Sequence, residues 1–298
     1  MTKAHSHTFV SFSLISILLV FLLVSTNNTH SLPQPSPDSS KTTLDISTTE
    51  ALFTVFSQNN PSLSINNIEQ AHQIQIPSIP ADFKNIKDID KKKKLFIHFM
   101  LPLIIEEQKY IRQKQELAQL MLSNTTELTE PNVIDWFKRI TKEYKIKDTL
   151  SFAEKKKQLL NRLDELPTSL ILAQAAIESG WGTSRFAIEG NSLFGEWTYN
   201  NKNSLTPKQR SEGKSHQIKA FPTLQASIHS YMRNINRNPA YRELRAMRME
   251  MRHNNQQLDA SRLATGLHRY SQKGEEYVKM VQALLNSSEF RTLQKLTL

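Results

Sequence analysis

In the stretch Leu166–Tyr199, LPTSLILAQAAIESGWGTSRFAIEGNSLFGEWTY, one carboxylate, Glu178, sits on an otherwise apolar helical face where the helical run ends. Counting back four, seven and eight positions gives Gln174, Ile171 and Leu170, which share its face and are expected to point inward. Apolar surroundings disfavour the charged form, the helix C-terminus adds partial negative charge, and neighbouring Trp181 can exclude water. A carboxyl group still protonated near neutral pH is a general acid. The residues alone leave a second reading open: a last-turn glutamate whose head escapes to solvent or pairs with Arg185.

The elements that must position this group can be read along the chain. Pro167 suits a first helical position, and Gly180 and Gly182 supply the stop. Upstream, Leu95, Phe96, Phe99, Leu103, Ile104 and Ile111 follow helical spacing, with Pro102 as a kink or helix start and a further run to Leu122. Pro131 opens another helix, with Val133, Phe137, Ile140 and Tyr144 along one side. These helices are expected to pack on the catalytic part. After Tyr199 the chain turns polar, and His216–Phe221 alternates as a strand does. Helices are expected again at Thr223–Ile235, Ala240–His253, Asp259–Thr265 and Glu275–Asn286.

The motif AQAAIESGWGTSRFA followed by NSLFGEW resembles the core of the peptidoglycan glucosaminidases of glycoside hydrolase family 73, in their Bax-like branch. Further matching stretches are Lys219–Arg245, Leu263–Leu285 and, more loosely, Ile76–Gln108, so the resemblance covers about Ile76 to Leu285. It implies a mainly α, lysozyme-like domain with a small β-hairpin or lobe, and an N-acetylglucosaminidase that cuts the β-1,4 bond after GlcNAc in peptidoglycan. Glu178 falls at the family's catalytic acid position. The second group is implied in the lobe, where Glu212, just before Gly213, is the choice and Glu196 the competitor; Gln217 stands where close relatives tend to be acidic. With no second carboxylate in reach, the substrate's own acetamido group is the alternative nucleophile, so the stereochemistry stays open. Tyr270 matches a tyrosine near the catalytic acid, suited to orienting the N-acetyl group or stabilising the sugar cation. Trp181, Phe194 and Trp197 are candidate sugar platforms, and Asn191 and Gly195 candidate shapers of the loop after the catalytic helix. A lytic transglycosylase of similar fold and a non-catalytic wall-binding protein remain as alternative readings.

The rest of the composition bounds location and chemistry. Lys3 followed by the apolar run Phe9–Val24 reads as a secretory signal or short anchor, shorter than the ~20 apolar residues that usually span a bilayer. The expected organisation is thus a signal peptide or signal anchor over 1–31, a flexible linker over 32–61, a helical extension over 62–150 and a glucosaminidase domain over 151–298. Export to the periplasm or cell envelope follows, with residues 9–24 either cleaved or held in the inner membrane. The chain has no cysteine, hence no disulfide or thiolate metal site. Its 9 histidines show no metal-ligand spacing, and no phosphate-binding loop or dinucleotide fingerprint occurs, so neither metal nor cofactor is expected. The net charge of +10, in an exported monomer, points to an anionic partner such as cell-wall stem peptides or lipid headgroups, not nucleic acid. Arg242, Arg245, Arg248 and Arg252 fall at helical spacing opposite Leu244, Met247 and Met251, which reads as a solvated basic face.

Overall fold

The structure, a computed structural model, describes residues 42–58, 74–123, 126–200, 202–207 and 217–295. The expected export segment and Glu212 lie outside these residues. Among the described residues no helix is long and apolar enough to cross a membrane.

Helix α1 (Thr49–Ser57) begins where the Thr48 hydroxyl accepts a hydrogen bond from the Ala51 N–H, and it buries Leu52 and Phe56, four residues apart. This corrects the linker expected through residue 61, because a Ser- and Thr-rich composition hid a short apolar stripe. The Asp82 carboxylate accepts from both the N–H and the hydroxyl of Thr49, at 2.9 and 2.8 Å, and ties α1 to the short 3-10 turn Phe83–Asn85. Strands β1 (Thr42–Thr43) and β2 (Ile74–Gln75) pair in parallel.

Helix α2 (Ile89–Leu122) runs for 34 residues, about 50 Å at 1.5 Å per residue. Pro102 lies inside it and starts no new helix; every residue from Leu95 to Ile105 is buried, and packing around the axis outweighs the missing N–H. Helices α3 (Pro131–Glu143) and α4 (Phe152–Arg162, opened by a Ser151–Glu154 capping box) close a separate apolar cluster with the end of α2, around Leu122, Trp136, Ile140 and Leu159.

The main core is continuous from Ile46 to Leu293. Helix α5 (Thr168–Ser179) lies at its centre and packs on α2 as well as on three later helices: α9 (Ala260–Ala264), α10 (Glu275–Leu285) and α11 (Ser288–Lys295). Between α5 and those come the short α6 (Arg185–Gly190), the β lobe, α7 (Leu224–Arg237) and α8 (Arg242–His253). In the lobe, β3 (Trp197–Thr198) and β4 (Ser204–Leu205) both pair antiparallel with β5 (Gln217–Lys219), with Trp197 opposite Ile218 and Ser204 opposite Lys219. The chain is therefore mainly helical with a small antiparallel sheet, as its sequence leads one to expect.

The basic face expected on α8 is corrected by the structure. Arg245 and Arg248 are buried, and they donate to main-chain carbonyls: Arg245 to Ile235 and Asn238, Arg248 to Asn161, Asp164 and Glu165. The C-terminal end of α7 and the loop before α5 leave carbonyls without helical partners, and the guanidinium forks supply the donors.

Candidate functional site

Pro167 precedes α5 as its cap instead of standing in its first turn, and its carbonyl accepts from the N–H groups of Leu170 and Ile171. Leu170, Ile171 and Gln174 are fully buried, so the face of α5 that carries Glu178 points inward over about two turns. Glu178, one residue before the helix end, is half-buried. The alternative of an ion pair to Arg185 does not form, since that guanidinium bonds Glu189 at 2.9 Å and the Thr206 carbonyl at 2.6 Å.

The helix stops because Gly180 adopts the left-handed conformation (φ 58°), and Trp181 follows it there with φ 56°. Ser179 locks the turn, donating to the Ala175 carbonyl at 2.6 Å and accepting from the Gly182 N–H at 2.8 Å. The Trp181 indole makes T-shaped contacts with Phe96 and Phe290 and lies 5.3 Å from the Lys93 ammonium. A left-handed tryptophan is held by that packing, which places its ring against α2 and α11 instead of leaving it as a free sugar platform.

On the other side of Glu178 stands a group of tyrosines. Tyr231 donates to Gln174 Oε1 at 2.5 Å, Gln174 Nε2 donates to the Tyr277 hydroxyl at 3.0 Å, and Tyr277 donates in turn to the Glu178 carboxylate. Burial pushes the Glu178 pKa up, opposed by the Tyr277 hydrogen bond and by the positive charge of Lys273. Burial likewise raises Tyr277, Tyr231 and Tyr270, with Glu178 adding to each, so all three stay phenols and donors. Tyr270 stacks on Tyr277 (5.3 Å between centroids, 8° between planes) and donates to the Phe194 carbonyl at 3.0 Å, which leaves its oxygen lone pairs as acceptors.

Phe194 is 2% exposed and stacked on Tyr231 at 4.0 Å, so this ring is core and not a sugar platform. The next residue, Gly195 (φ 62°), passes beside the catalytic candidate: a Cβ there would sit 3.9 Å from Glu178 Oε2. Asn191 closes α6 in the left-handed conformation and donates to the Phe221 carbonyl at 3.2 Å, tying the loop to the end of the β lobe. Trp197, on β3, is 56% exposed and offers a flat apolar face. Glu196 turns away from solvent: its Oε2 accepts from Ser230 at 2.9 Å, and its Oε1 is buried with no hydrogen-bond partner. Burial raises its pKa, partly offset first by Lys219, which donates to Ser230 at 2.7 Å, and then by Ser230 itself. Tyr241, raised to about 12 by burial, feels Glu196 and, less strongly, Glu178.

Tyr277, Tyr231 and the donor role of Gln174 are not legible as site features in the sequence. The signal that was available is the pair Tyr270 and Tyr277, which stand seven residues apart on either side of the turn that Gly274 closes. Among the described residues no group of three or more His, Asp or Glu side chains could hold a metal ion.

Comparison with known proteins gives this geometry a context. Residues 153–289 match the family model described as mannosyl-glycoprotein endo-beta-N-acetylglucosaminidase. They form a glucosaminidase-family domain. The chain is also similar to Protein bax of Escherichia coli (strain K12), 29% identical over 220 residues that cover 71% of this chain and 75% of the relative. A solved structure with local likeness is the catalytic domain of the autolysin Auto from Listeria monocytogenes, at 21% identity and a TM-score of 0.34, covering 61% of this chain and 96% of that one. Glu178, Gly195, Tyr270 and Tyr277 all fall inside the glucosaminidase domain, whereas Phe96, which packs on Trp181 in the turn after α5, comes from outside it.

Proposed function

We propose that this protein is an exported β-N-acetylglucosaminidase that hydrolyses the GlcNAc-β-1,4-MurNAc bond of peptidoglycan, with Glu178 as general acid. The observation that carries the reading is a half-buried carboxyl group in a glucosaminidase-family domain, its pKa raised by burial and its position fixed by one phenol donor. A neutral carboxyl held in place by Tyr277 can protonate the departing glycosidic oxygen as the sugar cation develops. Tyr270, whose oxygen keeps its lone pairs, is assigned to the acetamido group or the cation. Glu212 is assigned as the second carboxylate, Trp197 as the sugar platform, and Asn191 as the residue that fastens the loop bordering the groove. Residues 9–24 direct export, residues 62–150 form a helical extension that braces the catalytic part, and the enzyme acts as a monomer.

The test is digestion of purified peptidoglycan by the wild type and by Glu178→Gln, which keeps the shape and removes the proton. The rate is expected to fall by about two to four orders of magnitude. Equal rates would reject the assignment. Mass spectrometry of the products should find reducing-end GlcNAc; anhydro-MurNAc ends would instead make the enzyme a lytic transglycosylase.

A further inference from the structure

The opposite end of α5 opens on a concavity of 670 Å³ that the proposed reaction does not use. Thr168 lines it and Glu178 stands ten residues further along the helix, roughly 15 Å away at the α-helical rise. Three guanidinium groups, from Arg112, Arg252 and Arg291, border this space. Two of them are partly engaged: Arg112 bonds Glu165 at 2.9 Å, and Arg252 bonds Asp164 at 2.9 Å and lies 3.7 Å from Glu165. Arg291 is exposed, and among the described residues its side chain has no hydrogen bond or ion pair.

Three guanidinium groups against two carboxylates leave one formal positive charge in excess in the lining. Glu165 already serves two arginines, and Asp259 uses Oδ1 to hold the N–H groups of Ser261 and Arg262 at the start of α9. The remaining surface mixes aliphatic side chains, such as Leu166, Leu258 and Leu293, with the amides of Gln257 and Gln294. Among the described residues no aromatic ring lines the space, so they offer no stacking face to a sugar or a nucleobase. Planar guanidinium forks match carboxylates, amide side chains match peptide groups, and small aliphatic patches match methyl side chains. The volume is that of a pocket for a short peptide or small molecule.

We infer that this concavity is a second substrate site, which takes the carboxylate-bearing peptide portion of the same polymer whose glycan is cut at Glu178. The inference rests on the peptidoglycan reading above and adds to it a recognition of stem peptides remote from the bond that breaks. Two contacts on one polymer raise the local concentration of the second, so the peptide site acts on apparent affinity and leaves the chemical step untouched.

The experiment uses the full chain, with Arg291→Glu and Arg291→Lys, on peptidoglycan carrying its stem peptides and on the same glycan stripped of them by an amidase. Arg291→Glu is expected to raise KM on the stem-bearing polymer by about tenfold or more with kcat unchanged and to leave cleavage of the stripped glycan as it was, while Arg291→Lys, which keeps the charge and loses the fork, should fall between Arg291→Glu and the wild type. In calorimetry, the tripeptide L-Ala-γ-D-Glu-L-Lys with free carboxylates should bind the wild type and Glu178→Gln alike, and Arg291→Glu at least tenfold more weakly. Unchanged KM on both polymers, or no binding of the tripeptide by the wild type, overturns the inference. A wild type that cleaves neither polymer defeats the hydrolase reading instead, and the calorimetric comparison still decides the peptide site.

Discussion

A buried carboxylate, Asp164, stands just before α5 and a half-buried one, Glu178, near its end, and the protein treats them in opposite ways. Asp164, 5% exposed, accepts from Arg252 at 2.9 Å and from the Glu165 N–H at 2.8 Å, with Arg248 Nε 3.4 Å away. Arg248, itself fully buried, is further bound by three main-chain carbonyls and by Asn236 Oδ1 at 2.8 Å. Glu178 has one phenol donor and the field of one lysine. Around Asp164 the donors knit a buried acid into the scaffold; around Glu178 they are few, and desolvation raises its pKa.

The strongest way to break this contrast is to remove the ionisable group from each end. Glu178→Gln should cost the two to four orders of magnitude in rate given above and yet not destabilise the fold. Because burial raises the native pKa of Glu178 above its ordinary value of 4.5, the native state holds a proton that the unfolded chain has released. The stability from that proton is present below the unfolded value and is lost as pH rises through the native one. Denaturant titrations from about pH 4 to about pH 8 should therefore find a smaller loss of stability in Glu178→Gln than in the wild type. An identical pH slope in the two proteins would remove the contrast.

At the other end, Arg248→Ala leaves Asp164 buried with fewer partners and strips donors from the carbonyls of Asn161, Asp164 and Glu165. A loss of about 3–5 kcal/mol in urea unfolding is expected, with the rate per folded molecule little changed. A loss below about 1 kcal/mol would mean that the knot is no scaffold.

Tyr277→Phe should act more gently. It removes the single donor that lowers the Glu178 pKa, so the basic limb of the pH–rate profile should move to higher pH while the rate near neutrality falls about tenfold. A basic limb that stays in place or moves to lower pH would show that the phenol does not touch the reacting group. Gly180→Ala, which forces a Cβ into the left-handed region at the helix stop, is the smallest perturbation, at about 1–2 kcal/mol by thermal unfolding.

Local signals in the chain foretold the framework of this site well. Gly180 ends α5 where glycine permits a left-handed turn, Thr223 and Asp259 cap α7 and α9, and the inward face of Leu170, Ile171 and Gln174 follows from spacing alone. What escaped is decided by contacts far apart in sequence. Gln174 meets Tyr231 across 57 positions and Tyr277 across 103, and no local pattern encodes either meeting. Aromatic residues in a motif look alike whether they face a furrow or a core, so Phe194 and Trp181 were as eligible for sugar stacking as Trp197 until their neighbours were known. Arginines at helical spacing resemble a wet surface unless the carbonyls that need them are in view, as they are for Arg245 and Arg248. Glu212, the acid assigned as the second carboxylate, lies outside the described residues.

The brace beneath the loop after Glu178 has a consequence for how the enzyme can be divided. A Cβ at Gly182 would come within 3.1 Å of Phe96 and 3.2 Å of Ile79, and Trp181 leans on the same phenylalanine, so the two residues that steer the chain out of α5 rest on a buttress built before residue 153. The heritable unit and the mechanical unit have different borders. An excised fragment beginning at the family boundary would keep the acid and its tyrosines while losing the wall they are set against.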